Sequence, residues 1–258
     1  MKPALMACLV LFALLAVLPR GITAAWGNDR AAFLAQQSTD CVKCDLSGQK
    51  LNHSKLDNAR LTDSNFSNAE LYRSSLQHAD LSHAILRGAD LDRADLKWAN
   101  LAGADLSDAL LFEADLSGAN LSGAVLAAAH MGHAKLGQAN LAGARLPGAD
   151  LTEARLAGAR LAGADMRELQ LNEQNLRDLD LQGANLARCE MVDADLRGAN
   201  LRNANLTGVD LRGANLHGAD LTDANLQDAN LMTATLTDAK LAGANLSGAV
   251  MPDGHHSE

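Results

Sequence analysis

An apolar residue returns every five positions from Leu46 to Met251 without one change of phase. Leucine occupies 37 of these 42 central positions. A period of five matches neither the 3.6-residue turn of an α-helix nor the two-residue alternation of a β-strand. The chain must therefore turn once within every repeat if its leucines are to share one core.

The other positions of the repeat indicate how such a chain closes. The residue two places before each centre is alanine in 32 of the 42 repeats, and aspartate or asparagine often follows it. With the small and central residues inward, four repeats form a square coil of about 20 residues, and stacked coils pair at about 4.8 Å. The array predicts a rod roughly 50 Å long by that spacing. Only 3% of the chain is aromatic, which agrees with a narrow axis filled by leucine.

The repeats resemble a known sequence family. Residues 99–103 read ANLAG and residues 219–223 read ADLTD, which is similar to the A(D/N)LXX motif of the pentapeptide-repeat family. The resemblance extends over residues 44–253. It implies an all-β fold, a right-handed quadrilateral parallel β-helix of about ten coils. The functions of the family are mostly unassigned, so the resemblance implies a shape rather than a chemistry.

The sequence before the array has the features of an export signal. Lys2 is followed by an apolar stretch over residues 4–18, and small residues precede a predicted cleavage site after Ala25. Fifteen apolar residues are few for a membrane span, which disfavours an uncleaved anchor. We therefore expect residues 1–25 to be a signal peptide and the mature protein to be periplasmic or secreted, with no stable membrane anchor.

Both ends of a solenoid expose unpaired backbone and therefore need protection. Residues 26–43 are predicted to form a capping helix and junction, with the helix over residues 28–38. The polar tail, residues 254–258, is too short to cover the last coil. That end is either a homodimer contact, as in some members of the family that the repeats resemble, or is closed by its own side chains.

One coil departs from the pattern because larger residues replace the inward alanine. Leu169, Gln174 and Leu179 do so on three successive sides, and Cys189 and Val209 follow Leu169 at intervals of 20 residues. One interpretation is a locally wider coil in which these side chains pack on each other. The alternative is a bend that presents a binding surface.

Cysteines give the one chemical motif of the chain. Cys41 and Cys44 form a CxxC pair at the junction, and in an exported protein such a pair predicts a disulfide. Thioredoxin-like chemistry is disfavoured because no βαβ pattern surrounds the pair, and a zinc site would need a second pair of ligands. Cys189 is expected to be a buried thiol. We predict no metal and no cofactor.

Charge is concentrated on one side of the predicted rod. We call it the acidic side: the outward residues of the repeats centred on Leu51, Leu71 and every twentieth residue thereafter, with a net charge of −7. It is either a solvated face or a surface for a basic, partly apolar protein. His130 and His133 lie among its carboxylates, where a solvated polar ladder is favoured over a weak metal site. The candidate interaction residues are Tyr72, Asp90, Asp92, Phe112, Glu113, Asp150, Glu153, Glu173, Glu190 and Asp193.

These features favour a non-enzymatic scaffold of the cell envelope that binds another protein. The net charge of −9 argues against a nucleic-acid-binding surface. The alternative comes from the resemblance: some family members look like DNA and protect DNA gyrase, which would require this chain to be cytoplasmic. A redox or metal protein using Cys41 and Cys44 is the third hypothesis.

Overall fold

The N-terminal helix is shorter than the sequence predicts. The computed structural model describes residues 28–258, and the expected signal peptide with its cleavage site lies outside the described residues. Helix α1 spans Asn28–Leu34, rather than extending to residue 38. Gln36 has a φ of 57°, a left-handed conformation that ends helices, and the amide of Gln37 donates to the carbonyl of Ala32 at 2.8 Å. Phe33 is buried on the first coil, so α1 covers that end.

The repeats stack with a constant register. Parallel bridges join residues 20 positions apart, from Asp45 with Asn65 to Asn230 with Val250. Four pentapeptides therefore complete one turn of the solenoid. The bridges are isolated, and no continuous strand forms within residues 28–258. The all-β expectation is corrected in this respect, because the turn in every repeat leaves only one residue per side in bridge geometry.

Backbone hydrogen bonds account for the stacking. In a representative repeat, the amide of Leu46 donates to the carbonyl of Asn65 at 2.7 Å, and that of Gly48 donates to the carbonyl of Ser67 at 2.9 Å. The amide of Asn65 returns a bond to the carbonyl of Cys44 at 2.8 Å. Within the repeat, a turn is closed by the Gln49 amide on the Leu46 carbonyl at 3.2 Å. Four of the five amides of a repeat are thereby paired.

The fifth amide explains why aspartate and asparagine precede the central leucine. That amide belongs to the residue after the centre and points outward. The side-chain oxygen of the Asp or Asn two residues earlier accepts it, as Asp45 does from Ser47 at 3.1 Å and Asn120 from Ser122 at 3.2 Å. Such turns are a known preference of these two residue types. Much of the acidic composition therefore has a backbone role.

The second residue after each centre is left-handed throughout the array. Its φ lies between 53° and 73° at every repeat position from Lys43 to Gly248. Glycine takes this conformation without steric cost, and asparagine and aspartate tolerate it better than other residues. This requirement explains why glycine recurs at the corners, for example at Gly103 and Gly118.

The core is a column of leucine lined by alanine. Nearly all central residues up to Leu231 are buried, together with the alanines two places before them. Each fully buried leucine contributes about 2 kcal/mol of transfer free energy. Phe66 is the one aromatic residue at a central position, and it is also fully buried.

The C-terminal tail protects one side of the last coil and leaves the others open. The amide of Ser257 donates to the carbonyl of Ala249 at 2.8 Å, and that of Met251 donates to the carbonyl of His255 at 2.8 Å. The last central residues are only partly buried: Leu236, Leu241, Leu246 and Met251. The tail is thus not merely a polar extension, since it pairs antiparallel with the side that ends at Met251.

Replacing Leu121 by Asp is expected to lower the free energy of unfolding by about 4 kcal/mol or more, because it buries an unpaired charge in the stacked column. Leu121 is fully buried, whereas its neighbour Ser122 is outward. Ser122→Asp is the matched control and should change stability by less than about 0.5 kcal/mol. Urea denaturation measures both, and equal losses would contradict the assignment of inward and outward positions.

Candidate functional site

The acidic side is an ordered ladder rather than a diffuse cloud of charge. Bridges join Glu70 to Asp90, Asp90 to Leu110, Leu110 to His130 and His130 to Asp150. Equivalent outward residues consequently lie one above another at intervals of 20 residues. The structure brings the candidate residues of successive coils together in columns, as the sequence register predicts.

Asp90 and Asp92 support the backbone on this side. The side chain of Asp90 accepts the amide of Asp92 at 3.1 Å, and the side chain of Asp92 accepts the amide of Phe112 in the next coil at 2.8 Å. Burial raises the pKa of Asp92 above its ordinary value, and the nearby carboxylate of Asp90 adds to the effect. These two acids therefore position the aromatic residue above them.

The two aromatic candidates are held differently. Tyr72 is half-buried, meets the ring of His53 edge-on at 5.9 Å and has the guanidinium of Arg73 at 5.2 Å from its ring centroid. Phe112 is 37% exposed and meets His133 edge-on at 5.2 Å. Its ring lies beside Gly132 of the next coil, where an added Cβ would make an ordinary van der Waals contact with the ring at 3.4 Å. The 20-residue register places these two residues one above the other.

Several acids of the ladder are paired with cations. Arg93 contacts Glu113 at 2.8 Å, and His133 contacts Glu153 at 3.2 Å. Hydrogen bonds from Thr152 hold the pKa of Asp150 below its ordinary value. Arg93 and Arg73 were not among the predicted site residues, yet their positive charges make the acidic side locally less negative. Among residues 28–258, no group of three or more His, Cys, Asp or Glu side chains is arranged to hold a metal ion.

The remaining candidates lie in a shallow cleft nearer the C-terminus. Glu173, Glu190 and Asp193 line it together with Val192. Glu190 accepts a hydrogen bond from Asn172 at 3.3 Å. The ten candidates therefore form two groups: residues 72–153 and residues 173–193.

The coil pairing fails between those two groups. Bridges join Arg145 to Asp165 and Arg160 to Asp180, but the expected bridges between residues 150 and 170 and between residues 155 and 175 are missing from the described structure. This is the coil in which Leu169, Gln174 and Leu179 replace alanine. It lacks bridges to the preceding coil on two adjacent sides.

The cysteine pair lies at the N-terminal end of the solenoid. Cys41 and Cys44 form a disulfide with a Cα–Cα distance of 5.4 Å, and both residues are buried. Cys41 occupies a central position of the repeat and Cys44 the small inward position. The Cys41 amide already pairs with the carbonyl of Arg60 at 2.9 Å, so backbone pairing begins three residues before the predicted array. Ser64 secures the pair by donating to the Cys41 carbonyl and accepting the Cys44 amide.

Cys189 is a different kind of thiol. It is buried and free, and its sulfur donates to the carbonyl of Met166. Burial raises the pKa of Cys189 to about 12, which keeps the thiol protonated and unreactive at neutral pH.

Comparison with known proteins gives a consistent result. A sequence model described as pentapeptide repeats matches eight segments. These segments are residues 39–77, 69–108, 89–126, 104–141, 129–167, 175–213, 189–228 and 214–251. Residues 168–174, at the start of the disturbed coil, fall outside every matched segment. No curated protein sequence matches the chain.

Solved structures include similar chains. HetL, a pentapeptide repeat protein involved in heterocyst differentiation regulation from the cyanobacterium Nostoc sp. strain PCC 7120, is 32% identical. That match covers 88% of this chain and 98% of HetL, with a TM-score of 0.41. Rfr23 from the cyanobacterium Cyanothece 51142 is 30% identical over 54% of this chain and 98% of its own, with a TM-score of 0.38.

A third solved structure is more distant. QnrB1, a plasmid-mediated fluoroquinolone resistance protein, is 22% identical over 77% of this chain and 90% of its own, with a TM-score of 0.37. Separately, none of the helices in the described part of the chain has the length and apolar character needed to cross a membrane.

In protein recovered from the periplasm, we expect Cys41 and Cys44 to be oxidised together and Cys189 to be reduced. Alkylation of the native protein should label none of the three, and alkylation after denaturation without reductant should label Cys189 alone. Mass spectrometry of the peptides reads the outcome. A native sample that alkylates Cys41 would contradict the predicted state, and Cys189→Ala serves as the control for labelling.

Proposed function

Because this chain belongs to the pentapeptide-repeat family, we propose that it is a non-enzymatic scaffold of the cell envelope that binds another protein through its acidic side. The support is the fixed ladder of the acidic side, where exposed Leu110 and Phe112 lie among carboxylates. Around these two residues the backbone is paired with the coils on both sides, through the bridges of Leu110 to Asp90 and to His130. Such a surface is organised before a partner arrives, which lowers the entropy lost on binding.

The chemistry of the patch indicates the partner. Phe112 supplies an aromatic anchor, and Asp90 and Asp92 supply negative potential beside it. A basic and partly apolar protein surface would complement both, with electrostatics mainly accelerating encounter. Tyr72 lies two coils from Phe112, about 10 Å away by the coil spacing. Arg93 forms an ion pair with Glu113. The acids beside Phe112 that form no ion pair among the described residues are therefore Asp90 and Asp92.

Export is the second part of the proposal. Its support is the pattern of residues 1–25 in the sequence and the Cys41–Cys44 disulfide, a bond that persists in oxidising compartments. Fractionation with N-terminal sequencing tests it: a periplasmic product should start near Trp26. A cytoplasmic product that retains Met1 would contradict export and restore the gyrase-protecting alternative.

The test of the binding surface uses two double variants. Tyr72→Ser with Phe112→Ser removes the aromatic rings, and Asp90→Asn with Asp92→Asn removes charge but keeps side-chain oxygens for the backbone amides. Both should lose at least about tenfold in affinity for one envelope protein that the wild type captures, with melting unchanged. Asp108→Asn, at an exposed position on a neighbouring side, is the control. If no captured protein is lost by either variant, the acidic side is not the binding surface.

We also propose that the open C-terminal coil joins a second copy of the chain. Leu236, Leu241 and Leu246 are only partly buried there, and their amides have no partner among the described residues. The opposite end is covered by α1 and the disulfide, so the contact would close as a dimer instead of propagating.

Leu241→Lys is expected to shift the dimer to a monomer, because it places a charge in the apolar centre of the end contact. Ala242→Lys, the adjacent outward position, should leave the dimer unchanged. Light scattering after size-exclusion chromatography gives the molar mass. A wild-type protein that is monomeric at high micromolar concentration would contradict the proposed dimer.

A further inference from the structure

The opening in the irregular coil has a defined cause. Where the inward residue is alanine, the turn bond to the preceding centre measures 2.8–3.2 Å, as in the 3.0 Å bond from Ala164 to Leu161. At Leu169 and Leu179 the same bond lengthens to 3.4 Å. Larger inward side chains push the turns outward on successive sides, and the pairing with the preceding coil is lost on two of them.

The missing bonds leave two complementary backbone edges. In the preceding coil, the amides of Leu151 and Glu153 have no acceptor among the described residues. In the irregular coil, the carbonyls of Gln170 and Asn172, which the register would pair with them, have no donor in the same part of the chain. Each edge also carries the opposite group, because the Ala149 carbonyl and the Gln170 amide, which the register would pair with each other, have no partner among the described residues. We call the space between them the slot.

One buried side chain joins the two coils across the slot. The side chain of Gln174 donates to the carbonyl of Leu151 at 2.7 Å, and Gln174 is buried. This amide spans the two coils where backbone pairing is absent. The bridges from Arg145 to Asp165 and from Arg160 to Asp180 keep the other two sides paired. The slot is therefore confined to two adjacent sides of the coil.

The lining of the slot is apolar inside and acidic outside. Ala149, Leu151 and Leu169 line a cleft at its acidic-side end, and Asp150 and Glu168 stand at the rim. Among the outward residues of the acidic side in these two coils, Asp150, Glu153 and Glu173 are acidic and none is basic.

From these edges we infer that the slot binds an extended peptide segment of a partner protein, with apolar side chains inward and basic side chains outward. An extended chain carries amides and carbonyls along both of its edges, so it can satisfy two facing backbone edges at once. Alternating side chains would then meet the apolar lining and the carboxylate rim in turn. The inference deepens the proposed binding function by naming a partner class and a second site, and it does not depend on Tyr72 or Phe112.

The sharpest variant restores the regular repeat. Leu169→Ala, Gln174→Ala and Leu179→Ala together give the coil the inward residue of most regularly paired repeats. We expect the slot to close, the protein to stay folded, and the amides of Leu151 and Glu153 to gain hydrogen-exchange protection. Loss of peptide binding in a stable protein separates this result from misfolding. Cys189→Ala with Val209→Ala, which alters inward residues one and two coils further on, is the matched control.

The probe is a fluorescein-labelled hexapeptide of alternating lysine and valine, added to the full chain. Expected results are saturable polarisation changes and amide shifts at Leu151, Glu153 and Gln170. The closed-slot variant should bind at least about tenfold more weakly, and Asp150→Asn with Glu173→Gln should weaken binding at low salt. Peptides with glutamate in place of lysine, or with a central proline, should not bind.

Two outcomes overturn the inference. One is binding that the closed-slot variant retains in full, which assigns the peptide to another part of the acidic side. The other is absence of any amide shift at Leu151, Glu153 and Gln170 in the wild type at saturating peptide. The Tyr72→Ser and Phe112→Ser double variant should bind the hexapeptide normally, so a failure of the slot is distinguishable from a failure of the aromatic patch.

Discussion

The structure depends on one interaction, the backbone hydrogen bonding between residues 20 positions apart. Four of the five amides in a repeat are paired by the ladder and its turn, and an aspartate or asparagine side chain takes the fifth. This arrangement requires a narrow coil, because the amides of one coil must meet the carbonyls of the next. The alanine before each centre supplies the narrow coil, and leucine fills what remains of the axis.

Some carboxylates of the acidic side also hydrogen-bond to the backbone. Carboxylates such as Asp90 and Asp92 accept backbone amides, so their presence is required by the fold as well as available to a partner. Glu113 is paired with Arg93, and Glu153 with His133. The number of carboxylates on this side therefore overstates the negative charge that is free for a partner. In the proposed function, the partner binds where acid and exposed apolar surface coincide, as they do beside Phe112.

The irregular coil departs from the repeat because larger residues occupy its inward alanine positions. The coil that contains Leu169, Gln174 and Leu179 lacks backbone bridges to the preceding coil on two sides. The buried side-chain amide of Gln174 supplies one hydrogen bond between the coils there. Departures from a locally consistent pattern tend to mark functional positions. Here the departure leaves backbone hydrogen-bonding groups of the acidic side facing an opening, which is the slot.

By itself the sequence determined the inward and outward positions, the 20-residue register, the columns of the acidic side and the pairing of Cys41 with Cys44. A strict period of five fixes these because each residue's side follows from its number alone. Only the tertiary structure decided that α1 ends at Leu34, that the tail pairs beside Met251, that the Phe112 ring lies beside Gly132 and that pairing fails near Gln174. Those features depend on volumes and hydrogen bonds summed over several coils at once, and no single position in a repeat encodes such a sum.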